Sequence, residues 1–226
     1  MFASLRMLYA PHMGAEDLAR LAGELRAAAP RLPGAKTSWV AQVSPTAVIN
    51  AGQLVWRMTF GSEAEALLAP ASPAWREHIA PLLAKVEVAG VGYRIVECQV
   101  RKSGPGIWRA LVFRVAPEAP TDLIQRLKTA TLLMPQYVRE IRSWAFSPVA
   151  YSEGPKPFSY VWEQEYDSVA DLTGPYMTNP IHWGLVDGFF DAEYPEYIVD
   201  PQLIQVVGAI DRSILEPVPG AGASAS

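Results

Sequence analysis

Apolar residues alternate with polar or small ones over Ser4–Ala10, and the same period-two pattern returns over Lys36–Val43, Gln53–Phe60 and Tyr93–Val100. Alternation of this kind predicts strands with one buried face. Four further segments repeat it in the second half of the chain: Arg109–Val115, Ile141–Phe146, Phe158–Tyr166 and Leu203–Val207. Between the first and second strand of each half the spacing predicts a helix. In the second half Leu123, Ile124, Leu127 and Ala130 recur at helical spacing behind Thr121, a residue suited to an N-cap. A second helical segment is predicted after Ser62 and again after Ser168. Each half therefore reads β-α-β-β-α-β, the ferredoxin-like order, with an antiparallel sheet carrying helices on one face. The fold class is α+β.

The two halves align with each other. Leu18 and Leu123, and Ser38-Trp39 and Ser143-Trp144, lie 105 positions apart. Val55-Trp56 matches Val161-Trp162, and Ser62 matches Ser168, at 106; Pro73 matches Pro180 at 107. A nearly constant offset with single-residue slips indicates a duplication. Residues 1–102 form the first ferredoxin-like repeat and residues 107–212 the second, with Arg101-Lys102-Ser103-Gly104-Pro105-Gly106 as the linker. The tail 217–226 is mostly Pro, Gly, Ala and Ser and is predicted to be disordered. A sheet with helices on one face leaves the other bare. Two such units on one chain cover each other by packing sheet to sheet, as a covalent pseudo-dimer.

Composition narrows the functions. The 226 residues are 50% apolar, with 19 Lys+Arg against 23 Asp+Glu and a net charge of −4. Without a basic run there is no footprint for nucleic acid. No apolar stretch approaches the ~18 residues of a membrane span, and no signal peptide is visible, so a cytoplasmic location is expected. A single cysteine, Cys98, allows no internal disulfide and no multi-cysteine metal site, and it is read as an inert core thiol. No glycine-rich phosphate loop occurs. The acidic stretch Asp187, Asp191, Glu193, Glu196 and Asp200 is read as a solvated face.

Candidate chemistry gathers in the second repeat. Of the three histidines, only His182 sits among crowded aromatic and apolar residues, namely Tyr176, Met177, Trp183, Phe189 and Phe190. An imidazole can take up and return a proton near neutral pH. A tyrosine hydroxyl aimed at a developing enolate oxygen lowers its energy, by roughly 3 kcal/mol per donor in favourable cases. Strand parity puts Arg109, Leu111 and Phe113 on one face, with Tyr160, Trp162 and Gln164 beside them on the next strand. Such a hollow has apolar walls and a few polar groups. Glu163 and Glu165 have the opposite parity and need buried partners; Arg57, the repeat counterpart of Glu163, or Arg114 could supply one. In the first repeat, Trp75 stands opposite His182, about Ala69 opposite Tyr176, Leu54 opposite Tyr160 and Ser4 opposite Arg109. The first copy thus lacks the polar set, and one site per chain is expected.

The second half resembles the stress-responsive A/B barrel (Dabb) family of the dimeric α/β-barrel superfamily. The residues that carry this are the strand Phe158–Asp167 running into Ser168, then Asp171-Leu172, Tyr176 and Asn179-Pro180-Ile181-His182. The resemblance spans roughly residues 107–210, and the EthD-like branch of the superfamily is the nearest alternative. It implies an intrachain dimeric α/β-barrel of two ferredoxin-like repeats. It is similar to olivetolic acid cyclase-type domains, whose working groups include a Tyr and a His spaced as Tyr176 and His182 are here. A family histidine on the third strand falls at Tyr160, and one on the first strand at about Arg109.

The expectation is a cofactor-independent acid–base enzyme acting on a carbonyl-bearing aromatic or polyketide-like small molecule through an enolate, as an aldol-type cyclase, C–C lyase or isomerase. His182 would be the base and acid and Tyr176 the enolate donor, with Tyr160, Arg109, Trp162 and Trp183 contacting substrate. No metal or organic cofactor is expected. A small-molecule substrate and a second copy of the chain, in a homodimer of pseudo-dimers, are the expected partners; nucleic acid and membrane are not. The alternatives are a non-catalytic small-molecule-binding or stress-response module and a cofactor-free monooxygenase of the same superfamily.

Overall fold

In the computed structural model, which describes residues 1–154 and 157–215, the alternating segments form strands in two units of the same topology. The first unit contains β1 (Phe2–Tyr9), α1 (Ala15–Ala28), β2 (Ala35–Gln42), β3 (Leu54–Phe60), α2 (Glu63–Leu68), α3 (Ala80–Leu83) and β4 (Glu87–Arg94). A short β5 (Glu97–Val100) leads into the second unit, which contains β6 (Gly106–Phe113), α4 (Thr121–Tyr137), β7 (Ser143–Glu153), β8 (Tyr160–Tyr166), α5 (Val169–Asp171) and β9 (Ile204–Ile210).

The strand order is β2-β3-β1-β4-β7-β8-β6-β9. β4 pairs antiparallel with β7, joining the units on one side. On the other side bridges Val43–Gly208 and Ile49–Gln205 bring β9 to the chain leaving β2. The sheet is thereby closed into a barrel. Gly208 permits this closure, because a Cβ there would lie 2.7 Å from the Trp39 ring. The two sheets face each other across the interior, where Leu5, Met7 and Val91 of one unit meet Trp108, Val112 and Val161 of the other. Separate apolar cores lie outside, between each sheet and its helices. The expected α+β pseudo-dimer packed sheet to sheet is the observed architecture.

Two details differ from the sequence expectation. The predicted strand Tyr93–Val100 is broken between β4 and β5, because β7 runs on to Glu153, pairing first with β5 and then with β4. Thr121 is the first helical residue, and Pro120 stands at the capping position without a side-chain cap. The tail 217–226 lies outside the described residues. The second helices begin where predicted, each on a capping box: Ser62 with Glu65, and Ser168 with Asp171.

The barrel interior also holds charge. Arg57 on β3 and Glu163 on β8 are almost wholly buried, with Nε donating to Oε1 at 2.7 Å and Nη2 to Oε2 at 3.4 Å. Trp108 Nε1 donates to the same carboxylate at 3.0 Å, and Arg57 Nη1 donates to the Ile214 carbonyl at 3.0 Å. Arg57, not Arg114, is the partner of Glu163. Burial works against the guanidinium's charge, but Glu163 and then Tyr93 raise its pKa above the ordinary arginine value. Burial and Glu163 push the Tyr93 phenol well up, so it stays neutral. Glu165 turns the same way and accepts from Ser213 Oγ at 3.0 Å and the Ile214 amide at 2.8 Å.

Breaking a buried pair leaves the remaining charge uncompensated. Glu163→Gln is expected to cost about 3–5 kcal/mol in urea unfolding, and Arg57→Met/Glu163→Leu to recover most of that loss. Cys98 lies beside the same groups; burial first and Glu163 second push its thiol up to about 12. Its reaction with a disulfide reagent at pH 8 is expected to be at least ~100-fold slower than that of an unburied cysteine, and to reach the ordinary rate in denaturing urea.

Candidate active site

On the outer face of the second sheet a cavity of about 210 Å³ lies between β6, β8 and β9 on one side and α4 with the segment 176–187 on the other. The β6 residues Arg109, Leu111 and Phe113 and the β8 residue Trp162 form its sheet side, as their parity predicts. Tyr176, His182, Val186 and Asp187 form its helical side. Tyr176 and His182 are 2% and 7% exposed.

Tyr176 and His182 are six positions apart, which on a regular α-helix would set them about 120° apart around the axis. The backbone is not regular here. Leu172–Tyr176 and His182–Val186 are π turns, and an irregular step at Asn179 separates them. The two rings meet edge to face with centroids 4.6 Å apart. The second π turn also stacks residue i+5 over residue i: the Asp187 amide donates to the His182 carbonyl, and Asp187 Oδ2 lies 3.3 Å from His182 Nδ1. That approach is too poorly aligned for a hydrogen bond, leaving Nδ1 without one.

Arg109 is 4% exposed. Its Nη1 donates to Gln164 Oε1 at 2.5 Å and to Tyr176 Oη at 3.4 Å. Its Nε and Nη2 both donate to Gln205 Oε1, at 3.1 and 2.5 Å. The guanidinium carbon lies 5.4 Å from the centre of the Tyr176 ring. Because Tyr176 Oη accepts from Arg109, its own proton remains to be donated. Behind it, burial pushes the Tyr166 phenol well above its usual value, with Tyr176 adding to the effect.

The sequence-predicted residues divide. His182, Tyr176, Arg109 and Trp162 converge on the cavity. Tyr160 does not line it: its ring stacks on Phe146 at 5.1 Å and packs against Phe113 at 5.7 Å. Trp183 points outward, 57% exposed, and donates from Nε1 to the Thr178 carbonyl at 3.3 Å. Of the lining residues that sequence reasoning missed, three bear on how the site is built. Gln205 is the lone polar residue on the cavity face of β9, directly opposite Leu111, and could have been found by parity. Asp187 belongs to the site because of the π turn, which helical spacing does not reveal. Ile49 arrives from the first repeat, on a loop where Ala47 and Asn50 have φ of 59° and 50°. A backbone like that is costly for a residue with a Cβ and is held by its surroundings; here Gln205 Nε2 donates to the Ala47 carbonyl at 2.8 Å.

The matching place in the first repeat is filled. Trp75, opposite His182, also opens a π turn and stacks on Trp56 at 5.9 Å. Arg6 lies over Trp75, 5.1 Å from its ring centre, and its Nε and Nη2 donate to the two carboxylate oxygens of Glu153 at 2.9 and 2.5 Å. Among the described residues no group of three or more His, Cys, Asp or Glu could hold a metal ion, and no helix is long and apolar enough to cross a membrane.

Comparison with known proteins agrees with this architecture. Residues 107–199 match the stress-responsive A/B barrel domain. The structure of an anthrone oxidase-like protein superimposes with a TM-score of 0.71 at 10% identity, covering 94% of this chain and 92% of that one. A monooxygenase-like protein of Lactobacillus acidophilus NCFM gives 0.54 at 10% identity over 95% and 94%. A chlorite dismutase from Candidatus Nitrospira defluvii gives 0.54 at 8% over 96% and 91%. At such identities the likeness is one of fold. No curated protein sequence matches the chain.

Proposed function

We propose that the chain, whose residues 107–199 match the stress-responsive A/B barrel domain, is an acid–base enzyme for a carbonyl-bearing aromatic small molecule, working through an enolate. The observation that supports this is the meeting of His182, Tyr176 and Arg109 in a single buried cavity. An engineered cavity of roughly 150 Å³ holds benzene. At about 210 Å³ this one has room for a single ring with a few substituent atoms.

With Nδ1 turned to Asp187, the lone pair of the neutral imidazole sits on Nε2. Nε2 removes the proton α to the substrate carbonyl, and Asp187 steadies the imidazolium that forms. The negative charge moves to the carbonyl oxygen, where the Tyr176 hydroxyl donates to it. The imidazolium then returns the proton, to the same carbon or to an atom joined or released in the meantime. Aldol-type ring closure, its C–C-cleaving reverse and isomerisation share this first step. Aromatic and aliphatic walls from Phe113, Trp162 and Met134 exclude water from the enolate.

A second reading draws on the same step. An anthrone is an aryl ketone that readily forms an enolate, and the superimposing proteins include one named anthrone oxidase-like and one monooxygenase-like. An enolate that hands its electrons to dioxygen would make this a cofactor-free monooxygenase, with oxygen uptake as its signature.

The test is hydrogen–deuterium exchange at the α-carbon of acetophenone, 2-hydroxyacetophenone and 2-acetylbenzoate in D₂O, followed by proton NMR with dissolved oxygen monitored in parallel. The wild-type chain is expected to accelerate exchange over buffer. His182→Ala should lower that acceleration by about 10²–10⁴ and Tyr176→Phe by about 10², both with a near-native melting temperature. Exchange that is absent throughout, or unchanged in His182→Ala, overturns the reading. Melting shifts without exchange assign a binding module instead, and His182-dependent oxygen uptake assigns the oxygenase.

A further inference from the structure

Four arginines of the described chain are buried: Arg6, Arg57, Arg109 and Arg142. Three have a carboxylate partner, namely Glu153, Glu163 and Asp167. Arg109 has none among the described residues. Its acceptors are the side-chain oxygens of Gln164, Gln205 and Tyr176, all neutral. A buried cation compensated only by dipoles is costly to hold, and here it borders a cavity large enough for a ligand.

The first repeat supplies a comparison inside the same molecule. There the corresponding space contains a guanidinium over an aromatic ring, Arg6 over Trp75, and a carboxylate of the chain, Glu153, meets it on both oxygens. The stretch of the first repeat that matches Glu153 is about Ala47-Val48-Ile49, which carries no acid and lines the second-repeat cavity with Ile49. In the first repeat the protein answers its guanidinium with its own carboxylate. In the second it leaves that answer to whatever enters.

We propose that Arg109 anchors a ligand carboxylate, so that the site takes single-ring aromatic monocarboxylates carrying their reactive carbonyl close to the acid group. Three features choose this class. No second Lys or Arg lines the cavity, which favours a monoanion over a phosphate dianion. Asp187 beside His182 repels negative charge from the helical side, so the carboxylate lies at the Arg109 end. Arg109 Nη1 gives its two protons to Gln164 and Tyr176, which leaves one Nη2 proton and the Tyr176 hydroxyl proton to be donated to two neighbouring ligand oxygens. An ortho-acylbenzoate presents a carboxylate and a ketone oxygen side by side. The proposal rests on the reading of the cavity as a substrate site, and it adds the charge and shape of what binds there.

The test is calorimetric titration of the full chain with benzoate, 2-acetylbenzoate and their neutral counterparts benzamide and methyl 2-acetylbenzoate. Wild-type protein is expected to bind each acid at least 30-fold more tightly than its neutral counterpart. Arg109→Gln should bring acid and neutral form within threefold of each other. Arg126→Ala, at an exposed pair with Glu196 outside the cavity, should hold benzoate within threefold of wild type. Equal binding of acid and neutral form by wild type, or binding of neither acid at 20 mM, overturns the proposal, and this readout needs no variant to fold. Discrimination that persists without α-carbon exchange retains the anchor and removes the enolate chemistry. Exchange without discrimination does the reverse.

Discussion

The barrel closes around a buried ion pair that takes one partner from each repeat. Arg57 and Glu163 occupy corresponding positions in the two repeats, 106 residues apart. They meet across the interior, close to where a twofold axis would pass through a dimer of identical units. On such an axis a homodimer can only present a residue to its own copy, Arg to Arg or Glu to Glu, and burying two like charges is prohibitive. Two repeats on one chain can differ, so one contributes the guanidinium and the other the carboxylate. Once they do, each repeat needs the other, because a half-barrel alone would expose the apolar face of its sheet and leave a charge without its counter-charge.

The same freedom to differ separates the two outer cavities. Both repeats place a π turn at matching positions, Trp75–Ile79 and His182–Val186, over matching stretches of sheet. In the first, two stacked indoles and the Arg6–Glu153 pair consume the space and its polar groups. In the second, an imidazole replaces Trp75, leucine replaces Arg6 at Leu111, and the guanidinium moves two residues back along the strand to Arg109. Few changes at equivalent positions thus separate a filled core from a lined cavity. The first repeat contributes to that cavity from outside, through the strained loop that carries Ile49.

Much of this was legible in the chain because strands obey a period that residue spacing reports directly. Parity alone put Arg109, Leu111, Phe113 and Trp162 on the cavity face and Glu163 on the interior face, and the repeat register named Arg57 as the partner of Glu163. Where the backbone leaves regular periods, reading failed. Asp187 looked like part of a solvated acidic run because helical spacing does not bring residue i+5 back to residue i, whereas a π turn does. Trp183 was drawn toward the site by adjacency to His182, yet neighbours on a helical turn diverge by about 100°, and its ring faces solvent. Tyr160 has the right parity but stands at the end of its strand, where stacking on Phe146 takes it out of the cavity.

Sheet and helix also contribute unequally to the site, for a mechanical reason. The sheet side is held by hydrogen bonding on both flanks of β6, which pairs with β8 and β9 over its length. Arg109, braced by Gln164 on one neighbour and Gln205 on the other, therefore has a fixed position. The helical side is a run of short turns that contains Pro175 and Pro180. The braced guanidinium thus faces the Tyr176–His182 ring pair across the cavity. His182 and Arg109, where the first repeat has Trp75 and Ser4, sit one on each side of the same cavity.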